Sequence, residues 1–170
     1  MKTLIFFRHA KSDWSGDFEH DHDRPLSDRG RSAARLMGQF LGQSDLEPQL
    51  ILTSSATRAR QTVELASKAG AWSGKIREAP EIYEASVGTL QRLISEQDDA
   101  IDRLMLVGHN PSFELALAIF TKGGATRMPT AAMAAITIPA DDWRSAVSQG
   151  GTLKWLITPK LLKKGGFPAD

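Results

Sequence analysis

The chain has 170 residues, 41% of them hydrophobic and 24% charged, which is the composition of one ordinary globular domain with a single core. Lys+Arg number 21 against Asp+Glu 20, and this net charge of +1 supplies no global field for a dedicated nucleic-acid or anionic-membrane binder, while leaving a local anion site open. The absence of cysteine excludes disulfides, thiolate nucleophiles and Cys-ligated metals, so stability must come from packing.

In chain order, Leu4-Ile5-Phe6-Phe7 opens like a signal peptide but stops at Arg8-His9-Ala10-Lys11, so no secretion signal is expected and a cytoplasmic protein is. Thr3 to Arg8 instead predicts a buried strand, as do Gln49 to Thr53 and Arg103 to Gly108, each a short apolar run bounded by polar residues. Each of the three leads into a helical pattern. Ser27 is an N-cap candidate before Ala33, Met37, Phe40 and Leu41, with Gly42 at the expected stop. Ser54-Ser55 precede Ala59, Thr62, Val63 and Ala66, and Asn110-Pro111 precede Phe113, Ala116, Leu117 and Phe120. A shorter helix is expected from Ser86 to about Gln97. Ala131 to Pro139 and Thr152 to Thr158 read as further strands completing one side of the sheet, joined by a polar connection from Asp141 to Gly151. The tail from Lys160 to Asp170 reads as a short helix or loose end. The longest nearly apolar stretch, Ala131 to Ala140, falls far below the roughly 18 residues of a membrane span. Strands alternating with amphipathic helices predict an α/β fold of three layers, α/β/α, around a mostly parallel sheet, in a single domain spanning 1–170.

In such a sheet the carboxyl ends of parallel strands share one edge, where ligands bind. The first run ends in Arg8-His9 and the third in Gly108-His109, which predicts that two histidines converge there. The middle run ends in Thr53-Ser54-Ser55 and enters a helix carrying Arg58 and Arg60, adding hydroxyls, helix-start amides and a guanidinium to the same edge. Each feature alone reads more readily as structure; their coincidence points to a dianionic phosphoryl group, held by forked guanidiniums and attacked by a neutral imidazole. No carboxylate cluster for magnesium accompanies these strand ends, so metal-independent phosphoryl transfer, with no cofactor, is expected.

Arg8-His9 after an N-terminal strand, Ser54 to Arg58 with Gln61-Thr62, and Gly108-His109-Asn110 resemble the histidine phosphatase superfamily, whose fold is that of phosphoglycerate mutase. The short length, Arg8-His9-Ala10-Lys11-Ser12 and Arg24-Pro25-Leu26-Ser27 before Arg29-Gly30 look most like its SixA-type phosphohistidine phosphatase branch. The resemblance implies that His9 is a transiently phosphorylated nucleophile and that Arg8, Arg58 and His109 clamp the phosphoryl oxygens. It offers Glu84 as proton donor, with Glu81 or a plain surface carboxylate as alternatives, and Asn110 as a further substrate contact; Ser15, like Lys11 and Ser12, follows the nucleophile closely enough in sequence to add a phosphate contact. A phosphorylated protein, such as a phosphorelay component, is the partner implied, with small phosphoesters as the alternative substrates. A non-catalytic phosphate-recognition module is the rival from outside the enzymes. The family's glycine after Arg-His is Ala10 here, which would resist a positive φ. The short stretch from Glu84 to His109 leaves no room for the substrate cap of larger members, so an open pocket is expected.

Other features read as structure. Glu19-His20-Asp21-His22-Asp23 alternates metal donors, but neighbours in a polar loop rarely converge on one ion, and this loop borders the pocket at most. Lys11 is divided between phosphate contact and solvent. Arg60, roughly opposite Arg58 around their helix, ranks second to it. Trp14 is near enough to His9 in sequence to shape the pocket rim, and Lys122 to Pro129 is the expected mobile edge.

Overall fold

The computed structural model describes residues 1–167. Six strands form one sheet in the order β3-β2-β4-β1-β5-β6, with β1 Lys2–Arg8, β2 Leu50–Thr53, β3 Lys75–Glu78, β4 Arg103–Gly108, β5 Met133–Ile138 and β6 Thr152–Ile157. The first four run parallel; β5 is antiparallel to β1, and β6 to β5. Six helices cover the sheet: α1 Asp28–Gly42, α2 Thr57–Gly70, α3 Val87–Ser95, α4 Ser112–Thr121, α5 Trp143–Gln149 and α6 Pro159–Lys164. The fold is the mostly parallel α/β/α arrangement expected.

Alternation along the strands makes the two cores. Leu4 and Phe6 of β1, with Leu104 and Leu106 of β4, face α3, α4 and α5; Ile5, Phe7, Met105 and Val107 face α1 and α2. Phe6 meets Phe113 of α4 edge to face at 5.1 Å, a geometry that adds to area burial. On the other face α1 and α2 approach at backbone distance, because a Cβ on Gly38 would stand 2.1 Å from the Ala66 carbonyl oxygen. Ser27 starts α1 as expected, its hydroxyl accepting the Gly30 amide at 3.1 Å.

Two elements depart from expectation. The polar connection after β5 contains α5, whose single turn pair is too short to show a period. Asp142 caps it through the Ser145 amide, and Trp143 is fully buried with its indole N–H on the Ile101 carbonyl at 2.8 Å. Strand β3 leaves no apolar pattern because all four of its residues, Lys75 to Glu78, are exposed; backbone pairing with β2 and the Arg77 to Gln97 hydrogen bond at 2.7 Å hold it at the sheet edge. Of the expected tail, α6 and the residues to Phe167 are described, while 168–170 lie outside the described residues. Among the described residues no helix is long and apolar enough to cross a membrane.

Candidate active site

Strand register builds the site. Arg8 pairs with Gly108 across β1 and β4, and Thr53 of β2 pairs with Val107, so the three strands end level. The ladder continues past their ends: His9 N–H donates to the Gly108 carbonyl at 2.9 Å and Ser54 N–H to the Val107 carbonyl at 2.9 Å. His9 and His109 therefore lie side by side, their rings 5.0 Å apart between centroids. The convergence expected from the strand ends is present.

Each group is held by backbone. His9 Nδ1–H donates to the Ala10 carbonyl at 2.8 Å, which fixes the tautomer and leaves Nε2 with its lone pair. Ala10 is fully buried and is not among the residues of positive φ, and its N–H donates to Thr62 Oγ1 at 3.0 Å, so the methyl in place of the family glycine costs no backbone strain. Arg8 Nη1 donates to the Met128 carbonyl at 2.8 Å, and Asn110 Nδ2 shares that carbonyl at 3.1 Å. Met128 is anchored in turn, its N–H on Glu114 Oε1 at 2.7 Å, so the far end of the segment expected to be mobile is tied into the site. His109 Nε2 lies 2.8 Å from the Ser54 hydroxyl. Arg58, early in α2, donates from Nη1 to the Asp21 carbonyl and from Nη2 to the Asp21 carboxylate, at 2.7 and 2.9 Å.

Among the described residues, four buried side-chain polar atoms lack a hydrogen-bond partner: Arg8 Nε, Arg58 Nε, His109 Nδ1 and Asn110 Oδ1. All four belong to this cluster. An unpaired buried polar group costs about 1–3 kcal/mol, so such a concentration in one place marks a surface arranged for a polar ligand. Burial lowers the His9 pKa to about 4, with the Arg58, Arg8 and Arg24 charges adding to it against the Ala10 hydrogen bond. Burial again, then His9 and Arg58, lower His109 to about 3, with Asp21 opposing. Both imidazoles are neutral at neutral pH.

A cavity of about 420 Å³ adjoins the cluster, lined by Arg58, His109 and Asn110 together with Asp21, Tyr83 and Glu84. Glu84 thus reaches the same space as the cage, from an exposed position at φ 54°. Glu81 does not line it and is exposed. Ser15 is not brought to the cage: it is exposed, and its hydroxyl is committed to Asp13 Oδ1 at 2.7 Å. Arg60 is exposed beside Glu78, and Lys11 is exposed too.

Three groups were missed by the sequence reading. Asp21, in a 3-10 turn from Asp21 to Asp23, joins Arg58, Arg24 and the Tyr83 hydroxyl through one carboxylate. Its own burial works against ionisation, but these partners outweigh that and hold its pKa at about 2. Arg24 is buried, bonded to Asp21 at 2.6 Å and to the Ser12 hydroxyl, with its guanidinium 3.7 Å from the exposed Trp14 ring. Tyr83, the single tyrosine of the chain, packs edge-on against His109 and His22 at 5.6 and 4.9 Å. Nothing in the spacing of the loop singles out Asp21; Arg24 opens the Arg24-Pro25-Leu26-Ser27 motif, and Tyr83 is next to the candidate acid Glu84.

The sequence model of the histidine phosphatase superfamily (branch 1) matches residues 4–113, which include both histidines and both cage arginines. A chloroplastic Arabidopsis thaliana protein of uncharacterized function is 31% identical over 165 residues, covering 92% of this chain and 75% of the relative. The solved structure of the protein histidine phosphatase SixA complexed with tungstate superposes with a TM-score of 0.78 at 26% identity, covering 94% of this chain and 99% of that one. An Agrobacterium tumefaciens SixA protein, described as a candidate phosphohistidine phosphatase, superposes with a TM-score of 0.77 at 29% identity over 93% of this chain and 98% of that one.

Proposed function

The chain belongs to the histidine phosphatase superfamily, in its SixA-type branch, and on that footing we propose that it is a metal-independent phosphatase that removes the phosphoryl group of protein phosphohistidine through a phosphorylated His9. Phosphatase chemistry follows from the family; the substrate and the residue roles are our reading.

One contact supports the mechanism above all: the Nδ1–H bond to the Ala10 carbonyl leaves His9 Nε2 as the free lone pair, beside unpaired donors on Arg8 and Arg58. The phosphoryl oxygens bind these guanidiniums and His109. Arg8, Arg24 and Arg58 stand around two neutral imidazoles, and the Asp21 carboxylate pairs with only the latter two guanidiniums, an arrangement that complements an anionic phosphoryl group. His9 Nε2 attacks phosphorus, the new N–P bond forms as the bond to the leaving group breaks, and the leaving nitrogen keeps the electron pair and takes a proton from Glu84 or water. Water then attacks phospho-His9, its oxygen joining phosphorus and its proton passing to the Glu84 carboxylate or to solvent, while the N–P bond returns its pair to Nε2, and inorganic phosphate departs with the donor restored. The guanidiniums face charge that develops on the equatorial oxygens in both steps, the form of stabilisation worth most in a site shielded from water.

The openness of the site favours a phosphate displayed on a protein surface: only the loop residues Tyr83, Glu84 and Ala85 border the cavity on that side, and α3 is nine residues long. Rapid acid quenching after mixing with labelled phosphohistidine peptide should trap an acid-labile, base-stable phosphoprotein that His9→Ala cannot form. Full activity in His9→Ala would overturn the mechanism. Preference for para-nitrophenyl phosphate or sugar phosphates over the peptide would replace the substrate with small esters, and tight phosphopeptide binding without phosphate release would make the chain a recognition module.

A further inference from the structure

A second cavity, of about 370 Å³, lies between α1 and α6 and is bordered by Lys11, Arg29, Lys160, Lys163 and Lys164. No acidic side chain lines it, and among the described residues none of these five cations forms an ion pair. In a chain of net charge +1 this is a local excess, and all five side chains are exposed. The groove adjoins the catalytic edge through its walls. Lys11 follows His9 by two positions, and its carbonyl is held by Ser27 N–H and Oγ–H, both at 3.0 Å. The opposite wall, Pro129 and Thr130, is the continuation of Met128, whose carbonyl holds Arg8, and leads to Ala131, whose N–H donates to the His9 carbonyl at 3.1 Å. The floor includes the buried Ala33. A cationic rim over a partly apolar floor complements a polypeptide segment whose carboxylates face the rim and whose small apolar side chains face the floor.

We propose that this groove docks an acidic segment of the phosphoprotein substrate, holding it while its phosphohistidine occupies the cage. The inference rests on the phosphohistidine reading for what is hydrolysed, but not for whether the groove binds. Lys160, Lys163 and Lys164 take no part in the cage, so their replacement separates docking from chemistry. Exposed ion pairs are individually weak and screened by salt, and three or four acting together give roughly a tenfold effect at low ionic strength.

Two measurements on the full chain test it. A fluorescent, unphosphorylated peptide of alternating Glu and small apolar residues should bind wild-type protein and His9→Ala equally by anisotropy, lose about tenfold in affinity to the triple variant Lys160→Glu/Lys163→Glu/Lys164→Glu, and lose most of its binding in high salt. Lys160→Gln/Lys163→Gln/Lys164→Gln, which spares α6 the reversed charges, should show a smaller loss of the same sign. In turnover, appending that segment to a phosphohistidine peptide should lower KM about tenfold in wild type and not in either variant, with para-nitrophenyl phosphate or phosphoramidate kinetics unchanged. An acidic peptide that binds no better than its neutral counterpart overturns the docking site even if phosphohistidine is hydrolysed; binding without any phosphohistidine turnover overturns the substrate reading and leaves the docking site standing. Lysine-dependent binding to vesicles containing phosphatidylserine, with no binding of the peptide, would also overturn it, assigning the surface to a membrane.

Discussion

The buried imidazole pair should make the protein lose stability on acidification, and the His9 share of that loss has its own window. In the folded chain the His9 pKa is lowered from 6.5 to about 4, so between those values the unfolded chain binds a proton that the folded chain refuses. Through His9, stability therefore rises with pH in this window; it is unaffected above 6.5, where both states are neutral, and the His9 share of the loss is complete below about 4, while His109, lowered to about 3, carries the loss further into acid. The shift corresponds to about 3 kcal/mol, a large share of the 5–15 kcal/mol that stabilises a typical domain. Since His9 is only 8% exposed, solvent screening removes little of this. Asp21 acts in a separate window, from 3.8 down to about 2, where its protonation removes a stabilising charge. Urea unfolding of wild type and His9→Asn from pH 7.5 to 4 measures the effect, because the variant lacks the titrating ring. The difference in unfolding free energy should shift by about 3 kcal/mol against wild type across that range, with most of the change below pH 6. NMR titration of the imidazole carbons should place the His9 midpoint near 4. A wild-type-minus-variant difference that stays constant with pH, or a His9 midpoint near 6.5, would refute both the burial argument and the claim that a neutral nucleophile is available throughout the neutral range.

Arg58→Lys should lower kcat/KM by about 10²–10³-fold in steady-state assays, because an ammonium cannot reproduce the fork that faces the phosphoryl oxygens. Glu84→Gln should slow para-nitrophenyl phosphate or alkyl phosphate turnover, with more loss for poorer leaving groups up to about 10²–10⁴-fold, and phosphohistidine turnover less; equal effects on all substrates would remove it as proton donor. Asp21→Asn should lower KM for phosphate esters about fivefold, since the substrate no longer competes with a carboxylate for Arg58; a rise in KM would make Asp21 a brace for Arg58. Lys2→Met should cost about 2–4 kcal/mol in chemical denaturation with kcat unchanged, because it strips the buried ammonium from the Asp99 and Ile101 carbonyls and the Asp102 carboxylate.

Most of the fold was legible because β1, β2 and β4 are buried on both faces and leave continuous apolar runs, whereas β3 and α5 leave no such pattern. Lys75 to Glu78 owe their strand to backbone pairing with β2, and α5 is fixed by one cap and one buried tryptophan. The same division holds at the site. His9, Arg8, Arg58 and His109 stand at fixed offsets from strand ends or a helix start, so chain topology brings them together. Asp21 is delivered by an irregular loop whose path depends on contacts made by Arg24, Arg58 and Tyr83, and no local periodicity records those contacts. Ser15 illustrates the converse: its nearness to His9 in sequence does not carry it to the cage, because the turn closes on Asp13.

The arrangement also explains why the cage stays folded with so many cations at one edge. Arg8, Arg24 and Arg58 each spend some donors on the protein, on the Met128 carbonyl, on Ser12 and Asp21, and on Asp21, which fixes their positions. The Nε groups of Arg8 and Arg58 are left over. Keeping both histidines neutral prevents the positive charge from growing further, and it is burial, more than the neighbouring charges, that does so. A dianion entering the cage therefore gains unsatisfied donors without displacing the backbone contacts that hold them, while it must contend with the half-exposed carboxylate of Asp21, which is paired with Arg58. Preorganisation of this kind favours the trigonal phosphoryl group in transit over a leaving group of any particular shape. Discrimination among phosphorylated partners then has to come from surfaces outside the cage.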